Sequence, residues 1–296
     1  MDKITEKQNP NSDNLDLLSI DEILYLINED DRKISKAVRA NIPLINELIE
    51  KIVEKIKIGG RLFYVGCGTS GRLGVLDASE CPPTFSVDCS LVQGIIAGGD
   101  KALRKSVENA EDSFTDGSRQ ILLNKINSCD TVVGISANGS AEFVHGALKE
   151  AFKYNALTAL LTFNDIEKLK YVKYLISTNV GPEIIAGSTR LKAGTATKMI
   201  LNMISTVSMI KLNKVYKNYM VDLTVSNKKL LNRAINIISA ITGKDSDQSK
   251  VLLSKSNGNV KSAIIMSFLK VSHSESLKLI KKYHGNVRSI LRNEVK

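Results

Sequence analysis

Three turns rich in glycine, serine and threonine hold the residues best suited to bind a small anion. The side chains of interest are Thr69 and Ser70 in GCGTSG (66–71), Ser136, Asn138 and Ser140 in SANGS (136–140), and Ser188 and Lys192 in GSTRLKAGT (187–195). Glycines let the backbone approach a ligand, and N–H groups that open a following helix favour an anion. The spacing matches neither a Rossmann fingerprint nor a Walker A loop, which argues against a nucleotide. The three turns predict a site for a phosphate and several sugar hydroxyls.

Two acidic residues are candidates for proton transfer. Glu80 lies in ASECPPT, where we expect Pro82 and Pro83 to end a helix that begins near Ser70. Glu111 lies in VENAEDS (107–113), on a helix predicted after the second strand, with Glu108 and Asp112 as rivals nearby. Two carboxylates in a sugar site can divide acid and base work between them. The sequence therefore predicts carboxylate chemistry.

Metal or histidine chemistry finds little support in the sequence. The four cysteines form no CxxC pair and the three histidines are distant from them in sequence, so we expect free thiols and no zinc site. His145 falls in a helical stretch, where a structural role is the commoner one. No serine, histidine and aspartate stand in a recognisable triad setting.

Short apolar runs lead into most of these turns and predict the scaffold. The runs cover residues 62–65, 91–97, 131–135, 157–163 and 174–180, and helical stretches separate most of them. Such an alternation predicts an α/β fold with a doubly wound, mainly parallel five-stranded sheet flanked by helices. Ligands of these sheets lie beyond the carboxyl ends of the strands, where the polar turns fall. Apolar periodicity predicts further helices over 31–57 and 190–212.

The basic charge is confined to the end of the chain. The net charge is +10, and residues 226–296 carry 14 basic against 4 acidic side chains. We expect a catalytic domain over 1–225, with an N-terminal arm, and a small helical domain over 226–296 in which 256–264 and 283–291 repeat one motif. Only two aromatic residues, Phe268 and Tyr283, lie among these lysines, which argues against nucleic-acid binding by base stacking. The polar N-terminus and the lack of a long apolar run predict a cytoplasmic protein without a membrane span.

At these residues the chain resembles the N-acetylmuramic acid 6-phosphate etherases of the sugar isomerase (SIS) fold superfamily. The matching segments are TEKQNPNSDNLD (5–16), GGRLFYVGCGTSGRLGVLDASECPPTF (59–85), IIAGGDKAL (95–103), SVENAED (106–112), VGPEIIAGSTRLKAGTATKMILNM (180–203) and KVYKNYMVDL (214–223). They occur in the family's order and span most of residues 5–225. The resemblance implies an SIS-type sugar-phosphate site near the interface of a homodimer, with no metal or redox cofactor.

The resemblance also implies a reaction. The family cleaves the D-lactyl ether at C3 of the sugar phosphate by elimination and water addition, in amino-sugar and cell-wall recycling. By position, Glu80 resembles the acid that protonates the departing lactate and later activates water. Glu111 resembles the second catalytic glutamate, the C2 base; the assignment of the two steps stays open at this point.

One segment departs from the family pattern. Where the family carries Ser-Gly-Arg-Thr-Pro, this chain has Asn138-Gly139-Ser140-Ala141-Glu142, so an arginine is absent and a carboxylate is present. The serine–alanine pair is closer to the sugar-phosphate-binding regulatory proteins of the glucokinase type. A non-catalytic sensor of the same fold is therefore the first alternative. An aldose–ketose isomerase fits ASECPPTF poorly, and a DNA-binding regulator lacks the expected helix-turn-helix.

Overall fold

The computed structural model describes residues 3–223, 225 and 227–294. Internal contacts divide the chain into two compact units. The first runs up to Ser79 and resumes over Cys89–Ser205, and the second combines Glu80–Asp88 with the residues from Thr206 onward. This division differs from the boundary predicted at residue 225. Val221 lies in the apolar core of the helical unit and the partly buried Tyr216 packs against that core, so the unit includes residues that precede the predicted boundary.

The first unit is built on a five-stranded sheet. Its strands are β1 (Leu62–Gly66), β2 (Val92–Ile96), β3 (Thr131–Ile135), β4 (Leu157–Thr162) and β5 (Tyr174–Ser177). They lie in the order β2-β1-β3-β4-β5, and every neighbouring pair is parallel. The predicted fold class is thereby confirmed. Because chain connections leave β1 and β3 towards opposite sides, a crevice is expected at the carboxyl ends of these two strands.

Eight α-helices of the described chain accompany this sheet; three precede β1 in the sequence and five follow it. They are α1 (Ile20–Asp31), α2 (Lys33–Ala40), α3 (Ile42–Lys57), α4 (Gly68–Phe85), α5 (Lys101–Arg104), α6 (Phe114–Leu123), α7 (Glu142–Lys153) and α8 (Lys192–Lys211). The helix predicted over 31–57 is broken at Asn41, and Pro43 then stands in the first turn of α3. Proline is well tolerated there because the first N–H groups of a helix have no helical partner.

The end of α4 corrects one expectation. Pro82 and Pro83 do not end the helix, which continues to Phe85. Both prolines lie in its last turn, where each removes one N–H donor but no long helix has to continue beyond them. The backbone N–H of Ser86 closes the end on the carbonyl of Pro82 at 2.9 Å, and Ser86 has a φ of 49°.

Besides the last residues of α4 and α8, the second unit contains a short hairpin and five helices in its described part. These are β6 (Val215–Tyr216), β7 (Tyr219–Met220), α9 (Lys228–Thr242), α10 (Ser246–Lys255), α11 (Val260–Leu269), α12 (His273–Lys282) and α13 (Val287–Glu294). The internal repeat has a structural counterpart. Before α11 and before α13 the backbone makes two left-handed residues, and an asparagine (Asn259 or Asn286) then accepts a hydrogen bond from the third residue of the helix. Each copy is therefore a helix–turn–helix unit.

Candidate active site

The turn after β1 brings a helix N-terminus to the edge of the sheet. A Cβ on Gly66 would lie 2.7 Å from the amide nitrogen of Gly71, so neither backbone segment has room for a side chain between them. Gly68 adopts a φ of +50°, which opens α4 directly after the strand. Thr69 and Ser70 are half-buried in the first turn of α4. This turn presents two hydroxyls and the positive end of a helix dipole.

The turn after β3 is held by its own side chains. The Asn138 Oδ1 atom accepts hydrogen bonds from the Ser140 amide and hydroxyl, both at 3.0 Å. The Ser136 hydroxyl accepts one from the Ala141 amide at 3.2 Å. His145 Nε2 donates to the carbonyl of Gly139 at 2.9 Å, so the histidine has a structural role here. The turn is thus fixed in one shape although the family's arginine is absent.

In the third turn, the amides that open α8 already donate hydrogen bonds within the chain. The Glu183 carboxylate accepts hydrogen bonds from the amides of Lys192 and Ala193 at 2.9 and 3.0 Å. The pKa of Glu183 is raised, chiefly by burial and also by the charge of Asp30, although the two amide donors and the nearby Lys192 lower it. The first amides of α8 are therefore occupied by a carboxylate of the same chain.

The ammonium of Lys192 is engaged inside the protein. Its Nζ atom lies 2.5 Å from Asp30 Oδ2 and donates to the carbonyl of Pro182 at 2.6 Å. Both side chains of the pair are 3% exposed. Asn9 joins the network by donating to Asp30 at 3.1 Å, which ties the N-terminal arm to it. Lys192 thereby helps to hold the turn 187–195 in place.

Breaking this pair is expected to destabilise the protein. Burial is the largest single influence and would raise the pKa of Asp30, but the hydrogen bonds and the charges of Lys192 and Lys33 together hold that pKa below its usual value. We expect Asp30→Asn to lower the free energy of unfolding by about 3–5 kcal/mol, since it leaves a buried ammonium without its partner. The contribution of Asp30 should be present at neutral pH and be lost as the pH falls through its lowered pKa.

Chemical denaturation measures this effect. Glu29→Gln is the matched control, because Glu29 forms an ion pair with Arg32 whose side chains are 68% and 72% exposed. Such a surface pair contributes about 0–1 kcal/mol. Equal losses for the two variants would contradict the structural role assigned to the buried pair.

A cavity of about 280 Å³ joins the first two turns and reaches the third. Five of the predicted residues line it: Thr69, Ser70, Glu111, Ser136 and Asn138. Thr189 and Gly187 line it from the third turn. Ser140, Ser188 and Lys192 are not among its lining residues; Ser140 lines a neighbouring cavity, where its hydroxyl accepts a hydrogen bond from Lys3 at 2.9 Å.

Glu111 reaches the cavity from a turn and not from the predicted helix. It lies between α5 and α6, where its carbonyl accepts a hydrogen bond from the amide of Phe143 at 2.9 Å. The segment after Arg104 contains exposed polar residues and leaves the helix at Lys105, which has an extended conformation. Glu111 is exposed and lines the cavity.

Glu80 lies elsewhere in the fold. It is exposed, belongs to the second unit and is not among the residues that line this cavity. Thr69 and Ser70 occupy the first turn of α4, and Glu80 is near the other end of the same helix. The structure of one chain thus brings Glu111, but not Glu80, to the cavity.

Cys67 is a cavity residue that was not predicted. Burial, followed by the charges of Glu111 and Asp112, raises the pKa of its thiol to about 12. At pH 8 the thiol is therefore almost wholly neutral, and it adds no negative charge to the site. We expect iodoacetamide to alkylate Cys67 at least about 100-fold more slowly in the folded protein than in the urea-unfolded chain. Mass spectrometry of the Cys67 peptide measures both rates, and equal rates would contradict the raised pKa.

Glu6 and Thr189 were also missed as cavity residues. Glu6 lies in the N-terminal arm, and the segment TEKQNPNSDNLD was read only as an arm and as a family match. The arm is anchored by Thr5, which is buried and exchanges two hydrogen bonds with Asn164 at 3.2 and 2.9 Å. A polar segment gives no apolar pattern from which such docking could be predicted.

Two family models match parts of this chain. Residues 44–152 match a family model described as the N-terminal SIS domain of glucokinase regulatory protein, and residues 217–272 match the C-terminal lid domain of the same protein. Among solved structures, the chain is similar to phosphoheptose isomerase from Neisseria gonorrhoeae, with a TM-score of 0.47, 13% identity, and coverage of 64% of this chain and 97% of that one.

Curated relatives match nearly the whole chain. The N-acetylmuramic acid 6-phosphate etherase of Clostridium botulinum is 48% identical, over 98% of this chain and 96% of the relative. That of Caldanaerobacter subterraneus is 49% identical, over 98% and 95%. The resemblance found in the sequence is thereby confirmed. With these relatives and an SIS-type sheet that carries its polar turns at one edge, the chain belongs to the N-acetylmuramic acid 6-phosphate etherase family.

Proposed function

We propose that this protein is a carbon–oxygen lyase that converts N-acetylmuramic acid 6-phosphate into N-acetylglucosamine 6-phosphate and D-lactate. The proposal rests on the curated etherases, which are 48% and 49% identical to this chain over 98% of its length. The cavity supports it, because it combines a helix N-terminus and hydroxyls suited to an anion with the carboxylate of Glu111. Its volume of about 280 Å³ is close to the lower end of the usual range for small-ligand sites.

The reaction needs a base and an acid. Opening of the sugar ring exposes an aldehyde at C1, which acidifies the proton on C2. A base takes that proton, the C2–H electrons form the C2=C3 double bond, and the C3–O bond breaks as lactate leaves with a proton from the acid. Water then adds at C3, and C2 regains a proton, so that the amino sugar phosphate is formed.

We assign the two roles to the predicted glutamates. Glu111 lines the cavity beside Cys67 and is proposed as the C2 base. Glu80 is proposed as the acid that protonates lactate and later activates water. Thr69, Ser70, Ser136 and Asn138 are proposed to bind the sugar phosphate through hydroxyl and amide groups. Ser140, Ser188 and Lys192 lie outside the lining of the cavity. We propose that Ser140 shapes the second turn and that Ser188 and Lys192 shape the third.

The position of Glu80 supports a further element of this proposal, a homodimer with sites near its interface. One chain places Glu111 at the cavity and Glu80 outside its lining. In a two-fold dimer each chain can present the same residue to its partner. We therefore propose that Glu80 of one copy completes the site of the other. We also propose that the enzyme acts in the cytoplasm, where its four cysteines, none in a disulfide, suit a reducing compartment.

Direct assay tests the function. Purified protein is incubated with N-acetylmuramic acid 6-phosphate, and D-lactate is measured with a coupled dehydrogenase. We expect lactate and N-acetylglucosamine 6-phosphate in equal amounts. Tight binding of the sugar phosphate without any lactate would contradict the lyase and favour a sugar-phosphate sensor of the same fold.

A further inference from the structure

The candidate cavity has an unusual charge for a site that binds an anion. Its lining residues in the described chain include two carboxylates, Glu6 and Glu111, and no lysine or arginine. The donors suited to a phosphate are Thr69 and Ser70 with the start of α4, and Ser136 in the second turn. An anionic group is therefore favoured on the wall formed by these turns and is repelled from a wall that carries a carboxylate.

Glu6 is held against the third turn by its neighbour in the chain. Gly187 donates its amide to the carbonyl of Thr5 at 3.1 Å, and the Thr5 hydroxyl donates to Glu6 Oε1 at 3.3 Å. A Cβ on Gly187 would lie 3.3 Å from Glu6 Oε2, so the carboxylate lies directly beside this glycine. The Thr5 backbone and side chain are in turn fixed by Asn164. The arm thus delivers a positioned acceptor to the cavity.

We propose that Glu6 is a substrate-orienting residue that accepts a hydrogen bond from a neutral donor of the sugar, a hydroxyl or the acetamido N–H. This inference rests on the proposed function for the identity of the sugar. A carboxylate has no proton to donate, so it can bind such donors but not the phosphate or the lactyl carboxylate. Glu6 therefore selects the orientation in which both anionic groups face away from the N-terminal arm.

Ligand binding separates this role from a merely structural one. We compare wild type, Glu6→Gln and Lys7→Gln by calorimetry, with N-acetylglucosamine 6-phosphate and inorganic phosphate as the two ligands. Lys7 is the matched control, because it is exposed, adjacent and outside the lining of this cavity. Circular dichroism and the Tm report whether each variant is folded. Because Glu6 is exposed, we expect its replacement to leave the Tm unchanged.

The expected result is a difference between the two ligands. Glutamine keeps an acceptor oxygen but loses the charge, so the charge-assisted hydrogen bond becomes a weaker neutral one. We therefore expect Glu6→Gln to weaken binding of the sugar phosphate by about 5- to 30-fold. Glu6→Gln should bind inorganic phosphate as tightly as wild type or more tightly. Lys7→Gln should change the affinity for either ligand by no more than about twofold. Equal weakening for both ligands, no weakening, or no binding of the sugar phosphate by wild type would overturn the proposal.

The outcome is independent of catalysis. If wild type releases no D-lactate but its sugar-phosphate affinity depends on Glu6, the lyase assignment fails and the orienting role stands. If lactate is released and Glu6→Gln leaves both KM and the sugar-phosphate affinity unchanged, the orienting role fails and the lyase stands.

Discussion

Replacement of Glu111 by glutamine should lower kcat for D-lactate release by about 10²- to 10⁴-fold, the usual contribution of a positioned general base. Glutamine keeps the size of the side chain and the backbone hydrogen bond from Phe143 to the carbonyl of residue 111, but cannot take the C2 proton. Because the change affects proton transfer more than ligand contacts, KM should change much less than kcat.

Two measurements make this result specific to Glu111. The rival carboxylate Glu108 is exposed in the same segment and is not a cavity residue, so Glu108→Gln should retain activity near that of wild type. Exchange of the C2 proton with deuterium oxide, followed by mass spectrometry of the sugar phosphate, reports the base directly. Loss of activity in Glu108→Gln with retention in Glu111→Gln would move the base to the rival residue.

The sheet could be predicted because each strand has an unmistakable local pattern. The run 131–135 is apolar, short and followed by a polar turn, and the structure has β3 at Thr131–Ile135. A buried parallel strand must be apolar on both faces, so its sequence carries the signal without any partner. Long-range pairing then followed from the alternation of strands and helices.

Helix ends were harder to predict because they depend on a few local interactions. The prolines after Glu80 suggested a stop, yet α4 includes them, since only its last turn loses donors. Conversely, the pattern over 31–57 continued across Asn41, where the helix breaks. Apolar periodicity reports which face is buried and says little about where the backbone leaves the helix.

Only part of the site could be predicted, because some of its residues are placed by the sheet and others by contacts between distant segments. Turns that follow strands are placed by the sheet, so Thr69, Ser70, Ser136 and Asn138 meet at one cavity. Glu6 could not be placed, because its position depends on hydrogen bonds between Thr5 and Asn164, residues 159 positions apart. Lys192 carried a charge suited to a phosphate, but its buried partner Asp30 lies far away in the sequence.

A heterodimer of Glu80→Ala and Glu111→Ala chains should recover D-lactate release that neither variant shows alone. Glu80→Ala and Glu111→Ala homodimers should each release D-lactate about 10²- to 10⁴-fold more slowly than wild type. In a heterodimer of the two variants, a site that takes Glu111 from one chain and Glu80 from the other has one intact copy and one that lacks both carboxylates. We expect such a heterodimer to recover about half of the wild-type rate per dimer, because one of two equivalent sites is complete.

The experiment distinguishes a shared site from a site within one chain. The two variants are co-expressed with different affinity tags, the heterodimer is purified over both, and D-lactate release is measured at once. If both glutamates of a site came from one chain, every site in the heterodimer would lack one of them and the rate would stay at the level of the single variants. That outcome would assign Glu80 to the site of its own chain, reached by a rearrangement of α4 and the residues around it. A chain that remains monomeric would contradict the shared site outright, whereas recovery in the mixed dimer requires an interface at which each copy depends on the other for its acid.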